Sequence, residues 1–301
     1  MWIRSSSQIS DNIFQVMTPV SSHFLICSAN QCALVDSGVL GLGVVKAVKT
    51  ALALNGRSLN YLLITHADAD HIGGIAELKK AFPELVVAGS NLLKEKLENK
   101  ELLEKLYERN LSILNSFDLS PDCSENAISK EDWILATKID RTLTDGENLN
   151  LGGDIVIKAY AFPGHTLEQM GYYVENDKAL AAGEAFGYYG GKNKEAPTFR
   201  FYTEYLDSLS KASKLSIRLL SLPHNGVLTG DLVIKFMYKS IASGRTFRER
   251  INEKISGGET ADAIYTSILE EWREENIAPD GPFVLEREVI LKDMITSLTG
   301  K

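Results

Sequence analysis

A chain of 301 residues is long enough for one large domain or for a domain with an appendage. With 44% hydrophobic and 24% charged residues, it has the composition of a globular protein that buries a sizeable core. A net charge of −8 repels a phosphate backbone and excludes the electrostatic footprint of a nucleic-acid binder.

No apolar run approaches the ~18 residues of a membrane helix. The opening MWIRSSSQISDNIFQV has no apolar core of a secretory signal, so the cytoplasm is the expected location. Three cysteines, Cys27, Cys32 and Cys123, are too few for a disulfide framework and are expected to be free thiols, Cys27 and Cys32 buried in strands.

In chain order, short strand-like runs come first: Ile13–Met17, Phe24–Cys27 and Cys32–Asp36, the last entering Asp36-Ser37-Gly38. Val44–Leu54 reads as a helix stopped at Asn55-Gly56. Tyr61–Thr65 is short, continuous and apolar, as a buried central strand should be. A helix is expected after Gly73-Gly74, with Ile75, Leu78 and Phe82 on one face, and Leu85–Ala88 is the next strand. This alternation argues for an α/β layered fold whose function lies at strand C-terminal ends.

From about 91 to 133 the strand signal gives way to helical spacing (Leu103, Leu106, Tyr107, Leu114, Phe117), so a helical insertion is expected. Strands return at Ile155–Phe162, Gly171–Val174 and Ala179–Ala182; a helix over Tyr202–Ala212 leads to a strand at Arg218–Leu222. After Gly230 the pattern is helical, with stripes at Ile264, Ile268, Trp272 and at Ile290, Leu291, Met294, Ile295, Leu298, separated by Gly257-Gly258 and the turn Pro279–Pro282. The expected division is a main domain over 1–230, with the insertion at about 91–133, and a helical region over 231–301 covering the active site.

The chain has five histidines, and four of them follow predicted strands. His66 and His71 lie in THADADHIGG with Asp68 and Asp70, His165 in FPGHT and His224 in LPHNG; Glu184 follows a strand in AAGEAFG. Scattered core histidines would not choose strand ends so consistently. Only His23 stands apart, inside a strand, where a packing role is expected.

This arrangement resembles the metallo-β-lactamase fold superfamily, whose signature is HxHxDH, then a histidine after PGH, then a bridging aspartate, then a final histidine. The resemblance spans roughly residues 10–230. It implies an αββα four-layer sandwich with a metal site at the sheet edge. Carried over by position, it implies that His66, Asp68 and His165 hold one divalent metal, that Asp70, His71 and His224 hold a second, and that Glu184 bridges them. The aspartate of Asp36-Ser37-Gly38 matches a structural turn of the family. On an extended loop, alternate positions point to one metal while the next pair reaches the other as the chain turns. Two metals roughly 3.5–4 Å apart share a bridging hydroxide, the nucleophile, with Asp70 placed to accept or relay a proton.

Two departures stand out. Asp68 replaces a histidine and Glu184 replaces an aspartate. The added anionic oxygen makes the donor set harder, which favours iron or manganese and leaves zinc possible. The resemblance implies a metal-dependent hydrolase of a small thioester, ester or lactone. The alternative is a di-iron redox or oxygen-binding protein related to flavodiiron proteins but without their flavin domain. A metabolite-binding role without catalysis and a nuclease of the same fold are weaker readings. Tyr188, Tyr189 and Asn225 fit either substrate contact or packing. Lys192, Lys194 and Arg200 fit either an anionic substrate or a solvated loop. Oligomeric state is not readable.

Overall fold

The computed structural model describes residues 1–53, 56–117, 128–189, 195–274 and 284–299. The chain starts with β1 (Trp2–Ile3) and β2 (Ser7–Gln8), then β3 (Ile13–Met17), β4 (Ser22–Cys27) and β5 (Cys32–Val35). Helix α1 (Val44–Ala53) leads to β6 (Leu59–Leu63), the short α2 (Ala69–Ile72), α3 (Ile75–Ala81) and β7 (Val86–Gly89). The insertion supplies α4 (Asn91–Leu97), α5 (Lys100–Asn115) and α6 (Lys130–Ala136). Next come β8 (Arg141–Thr142), β9 (Asn148–Asn150), β10 (Val156–Ala161), β11 (Met170–Val174), β12 (Ala179–Ala181) and the hairpin β13 (Tyr188–Tyr189) with β14 (Glu195–Ala196). Helix α7 (Tyr202–Ala212), β15 (Leu219–Leu222), β16 (Gly226–Thr229), α8 (Asp231–Ser256), α9 (Ala261–Glu274) and α10 (Val284–Thr299) complete it.

Two mixed sheets stack face to face. The first runs β2-β3-β4-β5-β6-β7-β8 and is parallel from β5 to β8. The second runs β1-β16-β15-β12-β11-β10-β9, with β12 and β15 parallel. Period-two alternation puts Ile13, Phe24, Ile26, Val35 and Leu63 of one sheet against Ile157, Tyr172, Val174, Ala181 and Val227 of the other. The outer face of the first sheet is covered by α1, α3 and the insertion, through Val48, Ile75, Leu103 and Trp133. The outer face of the second is covered by α7 to α10, through Tyr205, Phe236, Ile268 and Leu291. The result is the expected αββα sandwich with a helical C-terminal region.

Expected elements differ in their boundaries by a few residues, and the short strands β1, β2, β8, β9, β13, β14 and β16 were not expected, being too brief to show a period; the expected Asn55 cap and the turn Pro279–Pro282 lie outside the described residues. The expectation for the cysteines fails. Cys27 and Cys32 are not free thiols but form a disulfide across the β4–β5 hairpin, with their Cα atoms 4.2 Å apart. Antiparallel register makes them directly paired residues, which a reading by count alone does not capture. Cys123 lies outside the described residues. Among those residues no helix is long and apolar enough to cross a membrane.

Candidate metal centre

Parallel pairing aligns strand ends, and here it delivers the site. The segments after β5 and β6 leave the first sheet at one end, carrying Asp36 and residues 65–71. From the second sheet, the β10–β11 turn carries His165, and the ends of the parallel strands β12 and β15 carry Glu184 and His224. Four of the seven predicted site residues thus come from one sheet and three from the other. The structure brings all seven together. His66, Asp70, His71, His165 and Glu184 are buried, whereas the side chains of Asp68 and His224 keep 28% and 21% exposure and mark the open side. The run after His66 does not stay extended as expected: Ala69–Ile72 closes into one helical turn.

The four histidines share one orientation logic. His71 Nδ1 lies 2.8 Å from Asp36 Oδ2, and His66 Nδ1 lies 2.9 Å from Thr65 Oγ1. The Thr65 hydroxyl has its own acceptor in Asp36 Oδ2 at 2.9 Å, so it accepts from His66. His165 Nδ1 donates to Thr198 O and His224 Nδ1 to Val20 O, each at 2.9 Å. With every Nδ1–H committed, each Nε2 turns its lone pair inward.

Those nitrogens meet carboxylates. Glu184 Oε1 is 3.2 Å from His71 Nε2 and 2.9 Å from His224 Nε2, while its Oε2 is 3.4 Å from His66 Nε2. Asp70 Oδ2 is 3.2 Å from His224 Nε2 and 3.6 Å from His71 Nε2. Asp68 Oδ2 is 3.2 Å from His165 Nε2 and 3.5 Å from His66 Nε2. A lone pair facing an anionic oxygen is repulsive unless a cation or a proton lies between them. Donor atoms of Asp70, His71, Glu184 and His224 all fall within 4.8 Å of one another, and so do those of His66, His165 and Glu184. Buried His66 Nε2 and Glu184 Oε2 make no hydrogen bond, as befits atoms built to coordinate. The donor set therefore fits metal ions, with Glu184 spanning both clusters.

The electrostatics agree. Burial opposes charge on His71, yet Glu184, Asp36 and Asp70 raise its pKa well above the usual value. Burial likewise disfavours a charged His224, but hydrogen bonds to Asp70 and Glu184 raise it to about 10. Burial would raise the carboxyls of Asp68 and Glu184; their histidine neighbours, with Arg200 beside Asp68, hold both well below the ordinary carboxylate range. A pocket negative enough to draw protons onto imidazoles draws divalent cations as well. His165 is the exception: burial and then the Arg200 charge lower its pKa.

Packing holds the loops in place. Trp133 of α6 donates its indole N–H to Gly73 O at 2.8 Å, and Trp2 donates to Asn225 O at 2.6 Å, beside His224. Ile113 and Leu114 of α5 pack with Ala69 and Val39, directly against the loop that carries residues 66–71. A side chain at Gly73 would place Cβ 2.2 Å from Asn110 Oδ1 and 2.5 Å from Leu40 N, so the glycine is there for close approach. From the other side, Asp293 of α10 accepts from Arg200 Nε at 3.0 Å.

Of the undecided residues, Tyr188 is buried in the core under α7–α10, and Asn225 lies in the turn that Trp2 holds. Lys192 and Lys194 lie outside the described residues. Arg200 is no solvated loop residue: Nη1 is 3.3 Å from His165 Nε2 and Nη2 is 3.6 Å from Asp68 Oδ2. Thr65 and Thr198 escaped a reading that looked for ligands rather than for what orients them; adjacency of Thr65 to His66 was the available signal.

A two-sheet sandwich carries at its edge a histidine–carboxylate cluster able to hold metal, and the chain belongs to the metallo-beta-lactamase superfamily, whose family model matches residues 18–232. Among its relatives, the protein YobT of Bacillus subtilis is 28% identical over 180 residues, 59% of this chain and 66% of that protein. A hydroxyacylglutathione hydrolase of Rhodopseudomonas palustris is 28% identical over 134 residues, 44% of this chain and only 36% of that enzyme. An archaeal metallo-beta-lactamase superfamily protein from Sulfolobus tokodaii, solved by crystallography, superposes with a TM-score of 0.61 at 19% identity, covering 97% of this chain and all of that one. That last likeness concerns the fold alone.

Proposed function

We propose that the protein is a metal-dependent hydrolase of a small acyl compound, a thioester, ester or lactone. The observation that carries this reading is the set of four histidines with Nδ1–H committed outward and Nε2 converging on Asp68, Asp70 and Glu184. His66, Asp68 and His165 would hold one divalent ion, Asp70, His71 and His224 the other, and Glu184 would touch both. Such ions polarise an acyl oxygen and lower the pKa of water towards neutrality. The carboxylate-rich set favours iron or manganese, with zinc admissible. Asp70, buried between His71 and His224, takes up the proton that water releases at its carboxylate. Burial of five of the seven groups limits bulk water around the reacting atoms, which strengthens every charge interaction there.

The similarity to a hydroxyacylglutathione hydrolase supports the thioester end of this range. We also read residues 1–230 as the catalytic domain and 231–301 as a helical region that closes one side of its mouth, on the strength of the Arg200–Asp293 link. The donor set supports a second reading, a di-iron redox or oxygen-binding protein, because Asp68 adds a hard oxygen. Metal analysis of protein purified without added metal, with optical spectra and a screen of thioesters, esters and lactones, separates them. Chelator-sensitive hydrolysis is the expected outcome. Metal-loaded protein inert towards every acyl substrate but with iron charge-transfer bands would replace the first reading with the second.

A further inference from the structure

The two clusters are not equivalent, and Arg200 is the reason. Its backbone N–H and that of Phe201 both donate to Gly164 O, at 2.8 and 2.9 Å, so the residue is fixed on the turn that carries His165. Its Nη1 donates to the His165 carbonyl at 3.1 Å and approaches His165 Nε2 at 3.3 Å. Because His165 Nδ1–H is already given to Thr198, that Nε2 is a lone pair, and a guanidinium beside it engages the very atom a metal would take. Nη2 meanwhile faces Asp68 Oδ2 at 3.6 Å, and Nε is bonded to Asp293. Two of the three groups assigned to the first cluster are thus shared with a resident positive charge. The second cluster instead keeps the charge of Asp70 free of any such cation, while Glu184 spans both clusters.

Resting on the metal reading above, we propose that Arg200 is an internal cation that competes with a metal ion for Asp68 and His165. The Asp70–His71–Glu184–His224 cluster therefore fills first, and the His66–Asp68–His165 cluster fills only at higher metal concentration, as the guanidinium turns towards Asp293. Asp68 is then selected for Arg200 as much as for metal. With three-quarters of its side chain covered, Arg200 needs carboxylate partners, and a neutral imidazole at position 68 would leave it Asp293 and the more distant charge of Glu168. Arg200 is a positioning residue in this scheme, coupling the first cluster to α10.

Equilibrium dialysis of the full chain against graded manganese(II), and separately zinc(II), with metal content read directly, tests this. Wild type should bind in two separated steps. Arg200→Gln should tighten the second step by about tenfold or more, the size of effect that outer partners exert on metal affinity, while Arg200→Lys keeps the charge and should stay near wild type. Asp293→Asn removes the competing anchor, leaves Arg200 to Asp68, and should weaken the second step, opposite in sign to Arg200→Gln. Circular dichroism confirms folding of each variant. Two equal steps in wild type, or a second step unmoved by both Arg200→Gln and Asp293→Asn, overturns the competition and leaves the metal reading standing. No binding at any concentration overturns both.

Discussion

Asp36 sits at φ 60°, in the left-handed region, which costs a residue with a Cβ roughly 1–2 kcal/mol. Its carboxylate offsets that cost by accepting from Thr65 N–H, from the Thr65 hydroxyl and from His71 Nδ1–H. It aims two histidines at once, one directly and one through Thr65. Asp36→Asn should leave the fold intact and reduce metal affinity by about 10–100-fold; titration with zinc in competition with a chromophoric chelator reads this, and unchanged affinity would show that His71 needs no such support. Asp70→Asn should cost about 10²–10⁴ in turnover, as loss of an acid–base group does; equal turnover at equal metal content would remove Asp70 from the chemistry. His23 belongs to stability instead. Burial holds its pKa down at about 4, against 6.5 when exposed. The neutral ring is favoured in the folded state, so its contribution is complete above pH 6.5 and is lost as pH falls towards 4. At pH 5 that loss is about 2 kcal/mol, and denaturant melts of wild type against His23→Leu at pH 7 and pH 5 should differ by about this amount.

The insertion and the loop that carries residues 66–71 are one packed unit. Gly73→Ala would force Asn110 or the Leu40 backbone aside, and because the latter is main chain the strain falls on the loop holding His71. A cost of about 1–3 kcal/mol is expected, with weakened metal binding; a chemical melt and metal content check both. How such elements announce themselves explains what the sequence revealed. The positions that converge on the candidate site were readable because strand ends are marked by apolar runs and because histidine is rare in this chain. The helix stripes after Gly230 were readable for the same periodic reason, and Ile264, Ile268 and Trp272 are indeed buried. Contacts between distant elements carry no local signature. Asp293 is 93 residues from Arg200, and nothing around either predicts their pairing. The Cys27–Cys32 bridge depended on hairpin register, which a five-residue spacing leaves open.

Because four site groups hang from one sheet and three from the other, bound metal would tie the halves of the sandwich together. An ion held at a free concentration 1,000 times its Kd stabilises the fold by about 4 kcal/mol, so chelation should lower Tm by an amount on the order of 5 °C; scanning calorimetry with and without chelator checks this, and identical melts would deny any such tie. Two of the chain's three tryptophans also bond to backbone at this junction, Trp133 to Gly73 and Trp2 to Asn225. One indole touches the first sheet's loop two residues after His71, and the other touches the second sheet's turn one residue after His224. The molecule thus contains a fluorophore on each side of its own seam. Manganese or iron arriving there should quench both, Trp2→Phe should silence the report from the His224 turn, and Trp133→Phe should silence the one from the His71 loop. Emission followed through a metal titration then shows, without any added label, which sheet responds to which ion.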